Sequence, residues 1–146
     1  MLRNVVILLA LSLALALSGC ATTGPAAGGQ TRAMQSASPE VRSIEKWKSM
    51  INRDFASAWE FQTPGAKSAT DQESYVASMN TRPVNWLAVR FMEKRCETED
   101  SCLISLELQI QFPLGRAAGQ LTVPSFIAER WIRLDGTWYY APADLA

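Results

Sequence analysis

Residues 102–112 constrain the fold more than any other stretch of the sequence, because apolar and polar residues alternate there from position 104 to position 111. The apolar set is Ile104, Leu106, Leu108 and Ile110, and the polar set is Ser105, Glu107, Gln109 and Gln111. Strict alternation is typical of an antiparallel strand that packs one face on a core and turns the other to water or a partner. The stretch therefore predicts an antiparallel sheet with one covered face.

Two more long strands and a closing hairpin are predicted around this stretch. Residues 86–96 precede it as a strand candidate, and residues 125–134 form a third strand after a loop over residues 113–119. Asp135-Gly136 is a two-residue signal for a tight hairpin, which would turn the chain into Trp138-Tyr139-Tyr140. Together these elements predict a sheet of about four strands.

Cys96 does not fit the alternation of apolar residues along the first of these strands. Apolar alternation runs through Leu87, Val89 and Phe91, and Cys96 has the opposite parity. Since a shift of one residue moves a side chain to the other face, Cys96 reaches the covered face only through a bulge near residues 92–95. The alternative is that this strand is covered on both faces.

A long amphipathic helix is predicted ahead of the sheet. Ser38-Pro39-Glu40 has the composition of a helix start, and apolar residues then recur every three or four positions as far as Trp59. Arg42 and Lys46 fall among the polar residues between them. The pattern predicts one helix of about twenty residues that ends by Thr63-Pro64-Gly65.

A second, shorter helix is predicted before the first strand. Thr70 and Glu73 have the spacing of a capping box, and Tyr75 lies one turn further on. The helix should end near residues 80–83, where Pro83 follows Asn80. Helices followed by an antiparallel sheet place the chain in the α+β class.

The first residues have the composition of an export signal. One positive charge, Arg3, precedes an apolar run of thirteen residues over positions 5–17, which is interrupted only by Ser12. A membrane-spanning helix needs roughly 20 apolar residues, so the run fits a signal peptide better. Leu17-Ser18-Gly19-Cys20 resembles the lipobox of bacterial lipoproteins, which implies cleavage before Cys20 and lipid attachment to its thiol.

The organisation that follows has three parts: a signal peptide over residues 1–19, a lipidated N-terminus with a flexible tether over 20–38, and one domain over 39–146. The tether is rich in Ala, Gly, Ser and Thr and has no hydrophobic period. By resemblance to lipoproteins of enteric-type bacteria, Ala21 after the cysteine favours the outer membrane, facing the periplasm. We expect a membrane partner through the lipid anchor in the cell envelope.

Composition excludes several kinds of chemistry. The chain has 14 basic and 14 acidic residues, so nothing in this balance suggests a nucleic-acid partner. It has no histidine, which excludes Ser-His-Asp and Cys-His catalysis and leaves no His or Cys cluster for zinc. No glycine-rich phosphate-binding motif or Asp-rich calcium loop occurs. We therefore expect no cofactor, no metal and no evident catalytic residue.

Cys96 and Cys102 are the two thiols that remain once Cys20 is lipidated. They flank a polar loop between two predicted strands, and in an oxidising compartment such cysteines should pair. Closing so short a loop would stabilise the fold by about 2 kcal/mol in the chain-entropy model. We interpret the pair as a structural disulfide, since a redox motif is more typically C-x-x-C at the start of a helix.

The order of elements resembles that of the nuclear transport factor 2-like superfamily, a cone-shaped α+β fold. The resemblance is carried by residues 129–140, a charged and aromatic strand that turns through Asp-Gly into an aromatic strand, and by residues 54–61 with their exit at 63–65. It implies helices over the concave face of a curved antiparallel sheet, around a pocket. Some members use this pocket for isomerase or dehydratase chemistry through Asp, His or Tyr, and others only bind.

These features favour a non-enzymatic binding or assembly module that engages a small apolar molecule, a peptide or another envelope protein. Tyr75, Trp86 and Trp131 are the candidates for lining its pocket, with packed core as the alternative. A second hypothesis is an acid-base enzyme that uses Glu93 or Glu129, which stand on strands beside large apolar residues. A third is a structural homodimer through the polar face of the sheet, including Arg90.

Overall fold

The computed structural model describes residues 36–115 and 119–143. Its helices are α1 (Pro39–Ile51), α2 (Phe55–Trp59), α3 (Pro64–Ala69) and α4 (Gln72–Asn80). Its strands are β1 (Asn85–Thr98), β2 (Ser101–Pro113), β3 (Gln120–Leu134) and β4 (Thr137–Ala141). This is the α+β class predicted from the sequence. The predicted signal peptide and Cys20 lie outside the described residues. Within those residues, no helix has the length and apolar character needed to cross a membrane.

The four strands form one antiparallel sheet in the order β1-β2-β3-β4. β2 and β3 pair without interruption from Ser101 opposite Ile132 to Pro113 opposite Gln120. β1 and β2 pair with three register shifts, one of which lies between Phe91 and Glu93 and leaves Met92 as a bulge. The bulge predicted near residues 92–95 is confirmed, and it brings Cys96 opposite Cys102.

The sheet has an inner face toward the helices and an outer face away from them. Ile104, Leu106 and Leu108 of β2 are buried on the inner face, while the residues between them are half-buried on the outer face. The core cluster consists of Trp47, Met50, Phe55, Ala58, Trp86, Cys102, Ile104, Leu106, Leu108, Trp131 and Trp138. It lies between the helices and the inner face of the sheet, which is the helix-over-sheet layering that the sequence predicted.

The prediction of one continuous helix of about twenty residues is wrong. α1 ends at Ile51, and Arg53 adopts a left-handed conformation with φ of 58°. α2 then restarts at Phe55, where the Asp54 carboxylate accepts a hydrogen bond from the backbone N–H of Ser57 at 3.1 Å. The helical spacing of apolar residues persists across the break because both helices pack on the same core.

The buried face of α1 also differs from the predicted one. Arg42 and Lys46, assigned to the polar face by the pattern, are buried at 4% and 6% exposure, whereas Val41 is 46% exposed. Lys46 pairs with Glu129, and Arg42 packs against the rings of Phe61 and Tyr139. Periodicity located the helix but placed its buried face incorrectly, since a buried charge with partners looks like a solvated charge in sequence.

Two further boundaries differ from the sequence predictions. α4 is capped by Asp71, whose carboxylate accepts the backbone N–H of Ser74 at 2.9 Å, and not by Thr70. β3 begins at Gln120 and continues through Pro124, ahead of the predicted start at residue 125. β4 pairs only with residues 130–134 of β3, so in the described part of the chain no strand lies beside that edge at Pro124. Proline within a sheet is typical of such an unpaired edge.

Candidate functional site

A cavity of about 740 Å³ lies between the helices and the inner face of the sheet. Its wall is part apolar and part polar, and its apolar side chains include Met50, Met79, Trp86, Leu108, Ile110 and Ile127. Its polar side chains include Lys46, Gln62, Tyr75, Arg82 and Glu129. Ala69, Ser78 and Arg82 are lining residues that are also exposed, and we refer to them as the mouth of the cavity.

Glu129, on the inner face of β3, is the most highly coordinated polar group at this site. Its Oε1 accepts hydrogen bonds from Lys46 Nζ and from Trp47 Nε1, the latter at 2.8 Å. Its Oε2 accepts hydrogen bonds from Ser43 Oγ at 2.9 Å and Trp131 Nε1 at 3.1 Å. A carboxylate has about four lone-pair sites, so these four donors saturate it.

Three of the four donors come from one face of α1. Ser43, Lys46 and Trp47 have the spacing i, i+3, i+4, which places them side by side above β3. The Lys46 ammonium also lies 3.8 Å from the centroid of the Tyr140 ring. The Lys46 side chain is 7% exposed and the Glu129 side chain is 4% exposed, so the ion pair between them is buried. It joins α1 to the sheet.

Arg42 is buried one turn earlier on α1. Its guanidinium carbon lies 5.1 Å from the centroid of the Phe61 ring and 5.7 Å from that of Tyr139. Burial lowers the pKa of Arg42 from its ordinary value, and the charge of Tyr139 acts in the opposite direction. The guanidinium thus packs against two aromatic rings beside the Glu129 cluster, outside the lining of the cavity.

Tyr75 and Arg82 occupy the α4 side of the cavity. The Tyr75 hydroxyl donates to Sδ of Met50 at 3.6 Å. Burial raises the pKa of Tyr75, and the nearby positive charge of Arg82 lowers it in part. Arg82 is exposed just past the end of α4, so its charge lies at the mouth and within electrostatic reach of the cavity interior.

The three aromatic residues predicted to line a pocket fall in two places. Tyr75 and Trp86 line the cavity. Trp131 is fully buried in the core, where its ring packs on Phe61 and Tyr140 at centroid distances of 6.4 and 6.1 Å. Its contribution to the site is the indole N–H that binds Glu129.

Lys46, Gln62 and Arg82 line the cavity but were not predicted as site residues. Lys46 contacts a carboxylate that lies 83 positions away in the sequence, which no local pattern encodes. The sequence does contain a sign of the position of Arg82, since this residue follows the predicted end of the second helix, beside Pro83.

Cys96 and Cys102 form a disulfide with Cα atoms 3.9 Å apart. It joins β1 to β2 at the end of their hairpin, and neither cysteine lines the cavity. In the described ranges no group of three or more Cys, Asp and Glu side chains could hold a metal ion.

The outer face carries a second, shallower groove of about 660 Å³. Phe126 of β3 stands beside it at 69% exposure, together with Met92 and the exposed Glu93. Next to Phe126, opposite it in the register, Glu107 pairs with Arg90 and accepts a hydrogen bond from Gln109 at 3.1 Å. The face predicted to be polar thus includes a prominent aromatic ring.

The chain matches no family model and no curated protein sequence. Among solved structures it resembles a SEC-C motif-containing protein from Rhodopseudomonas palustris, with a TM-score of 0.59 and 18% identity over 77% of this chain and 82% of the other. A candidate nuclear transport factor 2-like transpeptidase from Campylobacter jejuni matches with a TM-score of 0.45 and 13% identity, over 73% of this chain and 99% of the other.

A candidate dehydratase of the nuclear transport factor 2-like family from Streptomyces avermitilis matches with a TM-score of 0.46 and 11% identity. That match covers 71% of this chain and 94% of the other. At 18% identity, the similarity to the Rhodopseudomonas palustris protein concerns the fold alone.

Proposed function

We propose that this chain is an envelope lipoprotein whose domain binds a small, largely apolar molecule in the inner cavity without transforming it. The observation that carries the proposal is the cavity, whose volume of about 740 Å³ and combination of apolar and polar side chains suit a small ligand. Pockets for drug-sized molecules have volumes of about 300–1,000 Å³, with apolar walls and a few polar groups. Tyr75 and Trp86 are among the groups that would contact the ligand.

The saturation of Glu129 supports binding over catalysis. A general base needs a lone pair within hydrogen-bond reach of the proton that it removes. Both oxygens of Glu129 already accept two hydrogen bonds each, from Lys46, Trp47, Ser43 and Trp131. Glu93, the other carboxylate considered, stands on the outer groove and away from the cavity.

The location rests on the sequence: the leader, the lipobox-like Leu17-Ser18-Gly19-Cys20 and the tether. Lipoproteins with two or three acyl chains stay on the membrane, since one chain alone binds only marginally. Mass spectrometry of the native protein tests this part of the proposal. We expect a chain that begins at Cys20 with acyl mass on that residue, and an intact leader would contradict it.

Binding is tested with the neutral fluorescent probe N-phenyl-1-naphthylamine, whose emission rises in apolar surroundings. The protein is the chain from residue 20 onward with Cys20→Ser, which retains every core residue between Ile44 and Tyr140. We expect saturable binding that Ser78→Trp weakens by about tenfold or more, because an indole at the mouth fills the entrance.

The matched control is Ala77→Trp, which adds the same ring to the neighbouring exposed position of α4. Ala77 does not line the cavity, so its substitution should leave probe binding unchanged. Equal binding to both variants, or no saturable binding at all, would contradict the proposal. Far-ultraviolet circular dichroism of each variant checks that the total helix content is unchanged.

An acid-base enzyme is the second candidate, and the position of Glu129 on the cavity wall favours it. Catalysis would require one of its four donors to move away when substrate enters. Carbon-13 NMR titration of the carboxyl groups separates the two candidates. A carboxyl group titrating well above the ordinary range would favour the enzyme, and its absence would favour the binding module.

A structural homodimer is the third candidate, and it is favoured by Phe126, which is 69% exposed beside Met92 on the outer groove. Exposed aromatic rings of this kind are typical anchors of protein interfaces. Sedimentation of the lipid-free chain tests it: this candidate predicts a dimer that Phe126→Ser dissociates. A monomer at high concentration would remove this candidate.

A further inference from the structure

We propose that the molecule held in the cavity is an anionic amphiphile, whose acidic head group pairs with Arg82 at the mouth. Its apolar part would lie along the wall that includes Met50, Met79 and Ile110. This inference rests on the proposed binding function and adds the chemical class of the ligand.

The charges that line the cavity are unbalanced. Lys46 and Arg82 are its two cations, and Glu129 is its one carboxylate. Lys46 and Glu129 form a buried ion pair with each other. The remaining positive charge belongs to Arg82, and across residues 36–115 and 119–143 no carboxylate forms an ion pair with it.

The position of this charge separates a polar end from an apolar one. Arg82 is exposed at the mouth, while Trp86 and Leu108 are buried on the sheet side of the cavity. A guanidinium presents a planar fork of donors that matches a carboxylate or a phosphate. An amphiphile entering tail first would therefore leave its acidic group at Arg82.

The apolar part of the wall suits a flexible chain better than a rigid ring system. Met50 of α1 and Met79 of α4 both line the cavity, and thioether side chains adapt to irregular apolar surfaces. Ile110 and Ile127 of the sheet also line the cavity, and both are half-buried. Ligand contact would cover the surface that they leave open.

The test compares three probes of equal chain length: decanoate, decyl phosphate and the uncharged 1-decanol. Each competes with N-phenyl-1-naphthylamine for the Cys20→Ser chain from residue 20 onward. We expect the two anions to bind more tightly than the alcohol. Arg82→Gln should weaken the better anion by about tenfold or more and leave decanol unchanged, because only the charged hydrogen bonds are lost. The stronger of the two anions identifies the head group.

The matched control is Arg95→Gln, which removes one positive charge from an exposed position of β1 outside the cavity. It should leave all three affinities unchanged. Equal affinity for decanol and both anions, or no effect of Arg82→Gln, would overturn this inference. If the head-group inference failed in this way but Ser78→Trp still blocked all three probes, the proposed binding function would stand without that inference. If none of the three probes and no neutral dye bound, the proposed function itself would fall.

Discussion

Glu129 on the inner face and Glu107 on the outer face are the same residue type on neighbouring strands, yet their surroundings differ sharply. Glu129 accepts four hydrogen bonds from groups of α1 and β3. Glu107 accepts hydrogen bonds from Arg90 and Gln109, and this ion pair reaches water through Arg90, whose side chain is 67% exposed against 15% for Glu107. One carboxylate joins two layers of the fold, and the other joins two strands that are already paired.

The difference teaches that the role of a carboxylate here is decided by the face of the sheet that carries it. A buried charge is tolerated only when its partners are complete, since an unpaired one costs several kcal/mol. An exposed ion pair is screened by water and contributes about 0–1 kcal/mol. The inner cluster should therefore be sensitive to every substitution, and the outer pair to almost none.

The largest effect is expected from Glu129→Gln, which removes the negative charge but keeps the shape. Lys46 would remain buried without its partner, so we expect the free energy of unfolding to fall by about 3–5 kcal/mol. Urea denaturation followed by tryptophan fluorescence measures it. A loss below about 1 kcal/mol would mean that the carboxylate of the inner face contributes no more to stability than that of the outer face.

The double substitution Lys46→Met with Glu129→Leu provides the control for this result. It removes both charges together, and apolar replacement of a buried pair is often neutral or stabilising. We expect the double variant to be more stable than Glu129→Gln alone. The reverse order would mean that the ion pair is not the reason for the loss.

A smaller effect is expected from Trp131→Phe, which keeps an aromatic ring in the core and removes one donor to Glu129. A hydrogen bond to a charged group is worth about 1.5–3 kcal/mol, and we expect a loss of this size. Trp138→Phe is the matched control, because it shortens another buried tryptophan of the core without touching Glu129. Equal losses in both variants would indicate ring packing and not the hydrogen bond.

Much of the sheet could be predicted because the period of a strand is fixed by its geometry. Alternation from Ile104 to Gln111 located β2 and its buried face, and the parity of Cys96 located a bulge. The break at residues 52–54 could not be predicted in this way. Apolar spacing continues through it, and only the left-handed Arg53 and the cap at Asp54 distinguish two helices from one.

The site was less predictable than the fold because its key contacts are long-range. The sequence identifies Glu129 as an acid beside large apolar residues. Its partner Lys46, by contrast, has the sequence context of an ordinary solvated lysine on a helix. Local sequence contains no information on a contact across 83 positions. The cavity mouth at Arg82 depends likewise on where α4 is packed against the sheet.

Asp54 is a carboxylate that is held by hydrogen bonds without being buried: its side chain is exposed, yet it caps α2. Hydrogen bonds from the Ser57 hydroxyl and the Ser57 backbone N–H lower the pKa of Asp54 below its ordinary value of 3.8. The cap therefore stabilises the fold above that value, and its contribution is lost as pH falls through the lower, folded-state pKa. Asp54→Ala should cost about 1 kcal/mol at neutral pH.

Asp54→Asn is the informative comparison, because an amide oxygen caps a helix at any pH. We expect the stability of the native chain to fall relative to this variant as the solution is acidified below the ordinary carboxyl range. Chemical denaturation at a series of pH values measures the difference. A constant difference across the series would show that the carboxylate at position 54 contributes nothing through its charge.

The smallest effect is expected from Glu107→Gln on the outer face, and this result decides whether the comparison holds. Arg90 reaches solvent when its partner is neutralised, and Gln still accepts a hydrogen bond from Gln109, so we expect a loss of about 0.5 kcal/mol or less. Added salt should reduce even this difference, since exposed pairs are screened. If the loss instead approached that of Glu129→Gln, the outer face would have to be covered in solution, and the homodimer would become the better explanation of Phe126.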